Sequence, residues 1–456
     1  MSAIRIGLVG HPLGHSMSPY IHERIMEAVG IPGRYELFDI DPEQMDHYLP
    51  VLLRDLHGFN CTIPYKERII GHLEGLDSVS QRLKAVNTVF ERRGYNTDRD
   101  GFSACKIELS GKRVLLIGSG GVARMLAFEA ADADAEISIL GIDRVQTEKL
   151  IGDIRPFARS VHRVDSDEEA AGFAPEVVIN ATPLGMWPKV SGKPSFSDFI
   201  TRGTRVFDTV YNPPATRMVL ISRKKGAVAT GGLPMLFFQA LAAQRIWSPG
   251  VNFDVKRLLP ILDDLPREML KKSPIKILIT GFMGCGKTTV GRRIAEILKI
   301  PFIDTDEQIK RICGCDITEI FERDGEGSFR RLETDVSREY LARAGSCVIA
   351  SGGGMIMQHE NQALIEEFGA MNVFLHVPIE SLWERIRLDR SRPLAGNPDE
   401  SEGDRFTKVA RLFEARLPEY NKNADLIIHA DRDPELVARA AVNALGYGGY
   451  DYDTGS

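Results

Sequence analysis

No apolar run in the 456-residue chain approaches the roughly 18 residues that a membrane span needs. Charge of neither sign dominates. The 57 Lys and Arg stand against 63 Asp and Glu, a net −6, which excludes nucleic acid and anionic membranes as main partners. Any phosphate-binding cations must therefore be local. Six cysteines spread over this length make no disulfide framework. Their one close pair, Cys313 and Cys315, lacks a second cluster to complete four metal ligands. The start, MSAIRIGLVG, is too short and glycine-rich for a signal peptide, so a cytoplasmic location is expected. No internal repeat is present.

What is there is alternation. Short β-branched runs (IRIGLVG, YELFDI, RVLLIG, EISIL, VVIN, RVFDTV, KILIT, CVIA, VFLHV, LIIH) are separated by helical patterns, which implies parallel α/β sheets in more than one domain. Two glycine loops of different chemistry follow strands and open helices. In IGSGGVA, the backbone of Gly118, Ser119, Gly120, Gly121 and Val122 forms a dinucleotide fingerprint, with amides at a helix N-terminus able to approach a pyrophosphate. GFMGCGKTT fits G-x-x-x-x-G-K-[ST]. There Gly284, Cys285, Gly286 and Thr289 belong to the loop that cradles the phosphates of ATP, Lys287 reaches the β and γ groups, and Thr288 ligates Mg²⁺. The charged run DDLPREMLKKSP, 263–274, reads as a linker between the halves because it has little apolar content.

Around the first loop lie HPLGHSMSP with Ser16 and Ser18, CTIPYK with Thr62 and Lys66, AVNT with Asn87, and YNTD with Asp98. After it come NATPLGM, DTVYNP with Tyr211, and GGLPM with Gln239. Each alone has an ordinary structural reading, such as a Ser-Pro turn or a surface lysine. Together and in this order they closely resemble shikimate dehydrogenase over about residues 4–262. The resemblance implies a substrate domain at 1–103, with 236–262 packing back on it, and a Rossmann NADP-binding domain at 104–235. It assigns Ser16, Ser18, Thr62, Asn87, Tyr211 and Gln239 to the substrate, and Thr209 and Gly232 to the cofactor. Ketone reduction needs a hydride on carbon and a proton on oxygen; Lys66 can supply the proton and Asp98 can orient it.

Beyond the second loop, FIDTD brings Asp304 and Asp306, GSFRRLE brings Arg330 and Glu333, and SGGG spans 351–354. DRSRPLAG and EARLPEY add Arg392 and Arg416. In this spacing the set resembles shikimate kinase across nearly all of 275–440, within a P-loop, nucleoside-monophosphate-kinase-like parallel α/β domain at 275–456. The resemblance places Asp304 with Thr288 in the Mg²⁺ shell. It gives Asp306 and the glycines around Gly353 to the acceptor's hydroxyls, and Arg330 with Arg416 to its carboxylate. Arg392 would belong to a lid over ATP, and Arg432 would lie beside the adenine.

The expected function is therefore two consecutive steps on one chain. 3-Dehydroshikimate is reduced to shikimate, which is phosphorylated on its 3-hydroxyl; the partners are these small molecules, with no nucleic acid or membrane and the oligomeric state left open. A broader quinate/shikimate dehydrogenase is the alternative among enzymes. A non-catalytic regulator derived from such domains should have lost Lys66, Asp98, Lys287 or Asp304, and all four are present. One departure concerns the dinucleotide. Where the family commonly has Asn-Arg-Thr, then a basic residue three places on, this chain has Gly141, Ile142 and Asp143, then Gln146. Arg144 is the residue left to pair with a 2′-phosphate, and NADP is expected ahead of NAD.

Overall fold

The computed structural model describes residues 3–14, 16–193, 199–388 and 401–449. They form two compact units. The first comprises Met1–Met186, Pro194–Lys272 and Gly449–Ser456, and the second comprises Trp187–Lys193 and Ser273–Gly448.

The first unit contains two sheets. One is built from β1 (Ile4–Gly10), β2 (Gly33–Asp39), β3 (Gly58–Cys61), β4 (Gly75–Leu76), β5 (Thr88–Phe90) and β6 (Arg93–Tyr95), in the order β2-β1-β3-β5-β6-β4. β1 runs parallel to β2 and β3, while β5 is antiparallel to both β3 and β6. The C-terminal ends of β1, β3 and β6 and the start of β5 therefore share one edge. Thr62 directly follows β3, Asn87 directly precedes β5, and Asp98 comes three residues after the end of β6.

The second sheet contains β7 (Arg113–Ile117), β8 (Glu136–Leu140), β9 (Ser160–Val164), β10 (Val177–Asn180), β11 (Arg205–Asp208) and β12 (Val228–Thr230). Its order, β12-β11-β10-β7-β8-β9, is all parallel and reverses direction between β7 and β10. That is the doubly wound arrangement, whose ligand crevice lies at the reversal. The loop after β7 is IGSGGVA. Strands covered on both faces read as unbroken apolar runs, and β10 (VVIN) is buried along its whole length.

The second unit has one parallel sheet of β13 (Lys276–Thr280), β14 (Phe302–Asp304), β15 (Cys347–Ala350), β16 (Met371–His376) and β17 (Leu426–His429). The order is β14-β15-β13-β16-β17. Here the reversal flanks β13, so the loops after β13 and β15 open side by side. Those loops are GFMGCGKTT and SGGG. Among the described residues no helix is long and apolar enough to cross a membrane.

The run 263–274 is not an open linker. The helix Val255–Lys272 continues through it, with Leu258, Ile261, Leu262, Leu265 and Met269 in the same apolar cluster as Ile21, Ile25 and Trp247. A count of apolar residues misses this, because their helical spacing gathers them on one stripe while Asp263, Arg267 and Lys271 take the other side. Leu265 is fully buried. Leu265→Ala should therefore destabilise the first unit by about 2–5 kcal/mol, read from its urea midpoint. A linker residue would change it by less than about 0.5 kcal/mol.

Candidate active sites

At the shared edge of the first sheet, Lys66 Nζ donates to Asp98 Oδ2 at 2.6 Å, and both side chains are largely buried. Asp98 is the first residue of the helix Asp98–Ala104, where the free amides and the dipole favour a carboxylate. Its other oxygen, Oδ1, takes Asn87 Nδ2 at 2.9 Å. Two donors on one carboxylate fix its plane and leave Lys66 with two further protons to direct. Ser18 opens the helix Ser18–Val29, and its backbone N–H donates to Ser16 Oγ at 3.2 Å. Thr62 lies beside Gly10, where an added Cβ would come within 2.4 Å of the threonine methyl. Tyr211 packs against the cluster that includes Leu233 and Phe237, and burial raises its phenol pKa. Gln239 sits on the helix Leu233–Trp247 and donates to Leu236 O at 2.9 Å. That helix meets the Asp98 helix so closely that a Cβ at Gly101 would stand 2.5 Å from Met235 O.

In the dinucleotide loop Gly118 has φ +107°, and a Cβ there would crowd Thr182 and Ala181 O at 3.0 and 3.1 Å. The loops after β7 and β10 thus meet at the reversal. Gly120 precedes the helix Gly121–Asp132, and beyond both Gly120 and Gly121 the position of a Cβ meets no atom within 4 Å. Bare amides facing open space at a helix N-terminus suit a pyrophosphate. Gly232 caps the Leu233 helix with its Cβ position 2.2 Å from Thr209 O, which only glycine tolerates. Below, Asp208 is fully buried; burial pushes its carboxyl up to about 6 although Thr216, Val210 and Asn180 all donate to it.

Asp143 Oδ1 caps the helix Arg144–Ile154 by accepting Gln146 N at 2.9 Å. Ser119 Oγ bonds Gln146 Oε1 at 3.1 Å. Ile142 is fully exposed, and Arg144 stands exposed without a hydrogen bond or ion pair among the described residues.

In the second unit Gly281, Gly284 and Gly286 have φ of +146°, +81° and +92°, which bends the loop's amides inward ahead of the helix Lys287–Leu298. Cys285 is buried, and burial raises its thiol pKa. Lys287 Nζ folds back on Gly281 O and Phe282 O at 3.0 and 3.2 Å. Thr288 Oγ1 donates to Asp304 Oδ2 at 2.6 Å, while Asp304 Oδ1 accepts the amides of Asp306 and Glu307. The strand does not stay extended through FIDTD: a helix, Thr305–Cys313, starts one residue after Asp304 because that carboxylate caps it. A groove lined by Thr288, Thr289, Arg292, Asp433 and Pro434 runs beside the loop, next in sequence to Arg432.

On the acceptor side, Arg330 Nη1 donates to the fully buried Glu333 at 2.8 Å, and Arg416 Nη1 donates to Gly353 O at 3.3 Å, joined there by the Tyr420 hydroxyl. A Cβ at Gly352 would stand 2.1 Å from Glu333 Oε1 and 2.9 Å from Asp306 Oδ1. Both oxygens are buried and without a hydrogen-bond partner among the described residues. Burial pushes the Glu333 carboxyl up to about 7 against the pull of Arg330, and raises Asp306 as well. Arg392 lies outside the described residues.

Two family models match the chain: the shikimate dehydrogenase substrate binding domain at residues 8–89, and shikimate kinase at residues 283–446. The chain is 35% identical to "Shikimate dehydrogenase (NADP(+))" of Halothermothrix orenii over 260 residues, covering 53% of this chain and 90% of that protein. The chain belongs to the shikimate dehydrogenase family. Its relative of the same name in Moorella thermoacetica is 36% identical over 53% of this chain and 87% of its own. Among solved structures, shikimate 5-dehydrogenase from Thermus thermophilus in complex with NADP(H) and shikimate matches with TM-score 0.51 and 30% identity, covering 57% of this chain and 98% of that one. A chorismate mutase/shikimate 5-dehydrogenase fusion from Clostridium acetobutylicum matches with TM-score 0.53 and 31% identity, covering 59% and 99%. In this member of the dehydrogenase family a shikimate kinase domain follows on the same chain.

Three contributors to the two sites escaped the sequence reading. Asn60 and Thr88 lie behind Asn87, and Thr305 Oγ1 accepts Gly352 N at 3.1 Å. All three are buried polar residues, a signal that appears only once burial is known. Glu333 was in view beside Arg330, but its hold on that guanidinium was not.

Proposed function

We propose that the chain is a bifunctional enzyme of the shikimate pathway, reducing 3-dehydroshikimate with NADPH and phosphorylating shikimate with ATP. The observation that carries the reading is the coexistence of two complete polar sites: Lys66–Asp98–Asn87 at one sheet edge, and Lys287, Thr288–Asp304 and the Asp306–Arg330–Arg416 set at another. Ser16, Ser18, Thr62, Tyr211 and Gln239 bind the polyhydroxylated ring. A site built of hydroxyl partners rejects analogues lacking the hydroxyl. The Gly118–Val122 loop, with Thr209 and Gly232, would hold NADPH, which would supply the hydride. Lys66 protonates the ketone oxygen as it gains charge, and Asp98 keeps the ammonium aimed while accepting a ring hydroxyl.

In the kinase, Lys287 leaves its two carbonyls for the β and γ phosphates. The hard oxygens of Thr288 and Asp304, already side by side, suit Mg²⁺, which neutralises phosphate charge when bound. Arg330 and Arg416 fork onto the acceptor's carboxylate, and Asp306 accepts from its hydroxyl. The groove at Thr289 and Asp433, with Arg432, takes the nucleoside. Incubation with 3-dehydroshikimate, NADPH and Mg·ATP tests the whole reading: NADPH loss and ADP release should both follow, with shikimate 3-phosphate as product. Absence of either signal removes that half.

For the 2′-phosphate the free guanidinium of Arg144 is the available clamp, since Asp143 is committed to its helix. Arg144→Ala should raise the KM for NADPH about tenfold or more, a loss of roughly 1–3 kcal/mol, and barely change that for NADH. A wild-type chain preferring NADH by kcat/KM would transfer the role to Asp143.

A further inference from the structure

The amide of Asn87 is locked in one orientation by residues that do not line the site. The backbone N–H of Thr97 can only donate, and it lies 2.8 Å from Asn87 Oδ1, so that atom is the oxygen. The Thr88 and Thr97 hydroxyls approach the same oxygen at 3.0 and 3.2 Å. Nδ2 is thereby turned to Asp98. The same logic holds one link back. Asn60 Nδ2 reaches Asn87 O, which can only accept, at 3.1 Å, and Thr88 Oγ1 at 3.0 Å. Asn60 Oδ1 is left facing Tyr35, whose phenol donates at 2.8 Å. Burial keeps that phenol protonated; it stacks on His22 at 4.2 Å and has the Ser18 hydroxyl as a hydrogen-bonding neighbour. Thr88 Oγ1 accepts from Asn60 and donates to Asn87 Oδ1, with the Thr97 hydroxyl 3.2 Å away as a further neighbour. Every donor therefore points one way, from Tyr35 through Asn60, Thr88 and Asn87 to Asp98, which takes Lys66 on its other oxygen.

We propose that Tyr35, Asn60 and Thr88 are positioning residues for ketone reduction: acting through Asn87, they hold Asp98 as an acceptor and so aim the Lys66 ammonium. The inference rests on the reductase reading of this site. A reversed Asn87 amide would set its carbonyl oxygen against the Asp98 carboxylate and loosen the grip on Lys66. Links that polarise one another act as a unit, so their losses should not add.

The test uses the full chain with Thr88→Val, Thr88→Ser, Tyr35→Phe and the Tyr35→Phe/Thr88→Val double variant, measuring reduction of 3-dehydroshikimate against pH. Thr88→Val should lower kcat about fivefold to tenfold, leave the KM for NADPH unchanged, and move the acidic limb of the profile to higher pH. Thr88→Ser should restore both, and the double variant should be no slower than the slower single. An unchanged KM for NADPH and a cooperative melt of the same preparations report that the first unit remains folded. Wild-type behaviour of Thr88→Val, or additive losses with an unmoved pH profile, would overturn the proposal and leave the reductase reading standing. A wild-type chain that does not reduce the ketone overturns both.

Discussion

Lys66→Ala should lower ketone reduction by roughly two to four orders of magnitude, the range of a lost general acid. The loss should fall on kcat more than on the KM for 3-dehydroshikimate, because the proton is needed as charge develops on oxygen, whereas the ring is held by the serines, Thr62 and Gln239. Phosphorylation of added shikimate by the same protein should remain near wild type. Removing the ammonium also strands the Asp98 carboxylate with Asn87 as its one remaining side-chain donor among the described residues, so a double variant with Asp98→Asn should cost little more than Lys66→Ala alone. Equal loss of both activities, in a protein that still melts cooperatively, would defeat the assignment of separate sites.

Lys287→Ala should produce the mirror result. Without the ammonium that spans the β and γ phosphates, phosphorylation should fall by roughly 10²–10³-fold, the scale for deleting a preorganised electrostatic contact in the transition state. Reduction of 3-dehydroshikimate should be unaffected. Lys287 Nζ now bonds two loop carbonyls, and on its removal Phe282 O still accepts Cys285 N at 3.3 Å. The cost is therefore in catalysis rather than in folding. Steady-state ADP release at saturating shikimate, beside NADPH oxidation by the same sample, checks it. An unchanged kinase rate would remove Lys287 from the phosphate site.

The parts of the fold legible in the sequence are those set by local chemistry. Both glycine loops, the strand before each and the helix after each lie within about 30 residues of one another. β5 and β6 were missed because each has three residues, too few for a period to register. The pairing of Lys66 with Asp98 spans 32 residues and came through family resemblance, not spacing. The convergence of Asp306 and Glu333 on Gly352 was illegible, since it depends on how two helices and a loop stack over the sheet. The misread linker failed for a different reason. The signal there lies in spacing rather than composition: Leu262, Leu265 and Met269 recur at three and four residues inside a run dominated by charge.

That last helix bears on the order in which the polypeptide is made. The cluster holding β1 to the helix Ser18–Val29 is unfinished until Leu265 and Met269 have been synthesised, and the helix ends at Lys272, four residues before β13 begins. A nascent chain emerging from the ribosome therefore closes its first core with residues added only just before the second sheet starts. Ribosome pausing shortly past that point would give the amino-terminal half time to mature alone, before the apolar run of β13 appears. A stop codon placed upstream of Leu265 should yield a product that chaperones retain, whereas one placed just after Lys272 should release it.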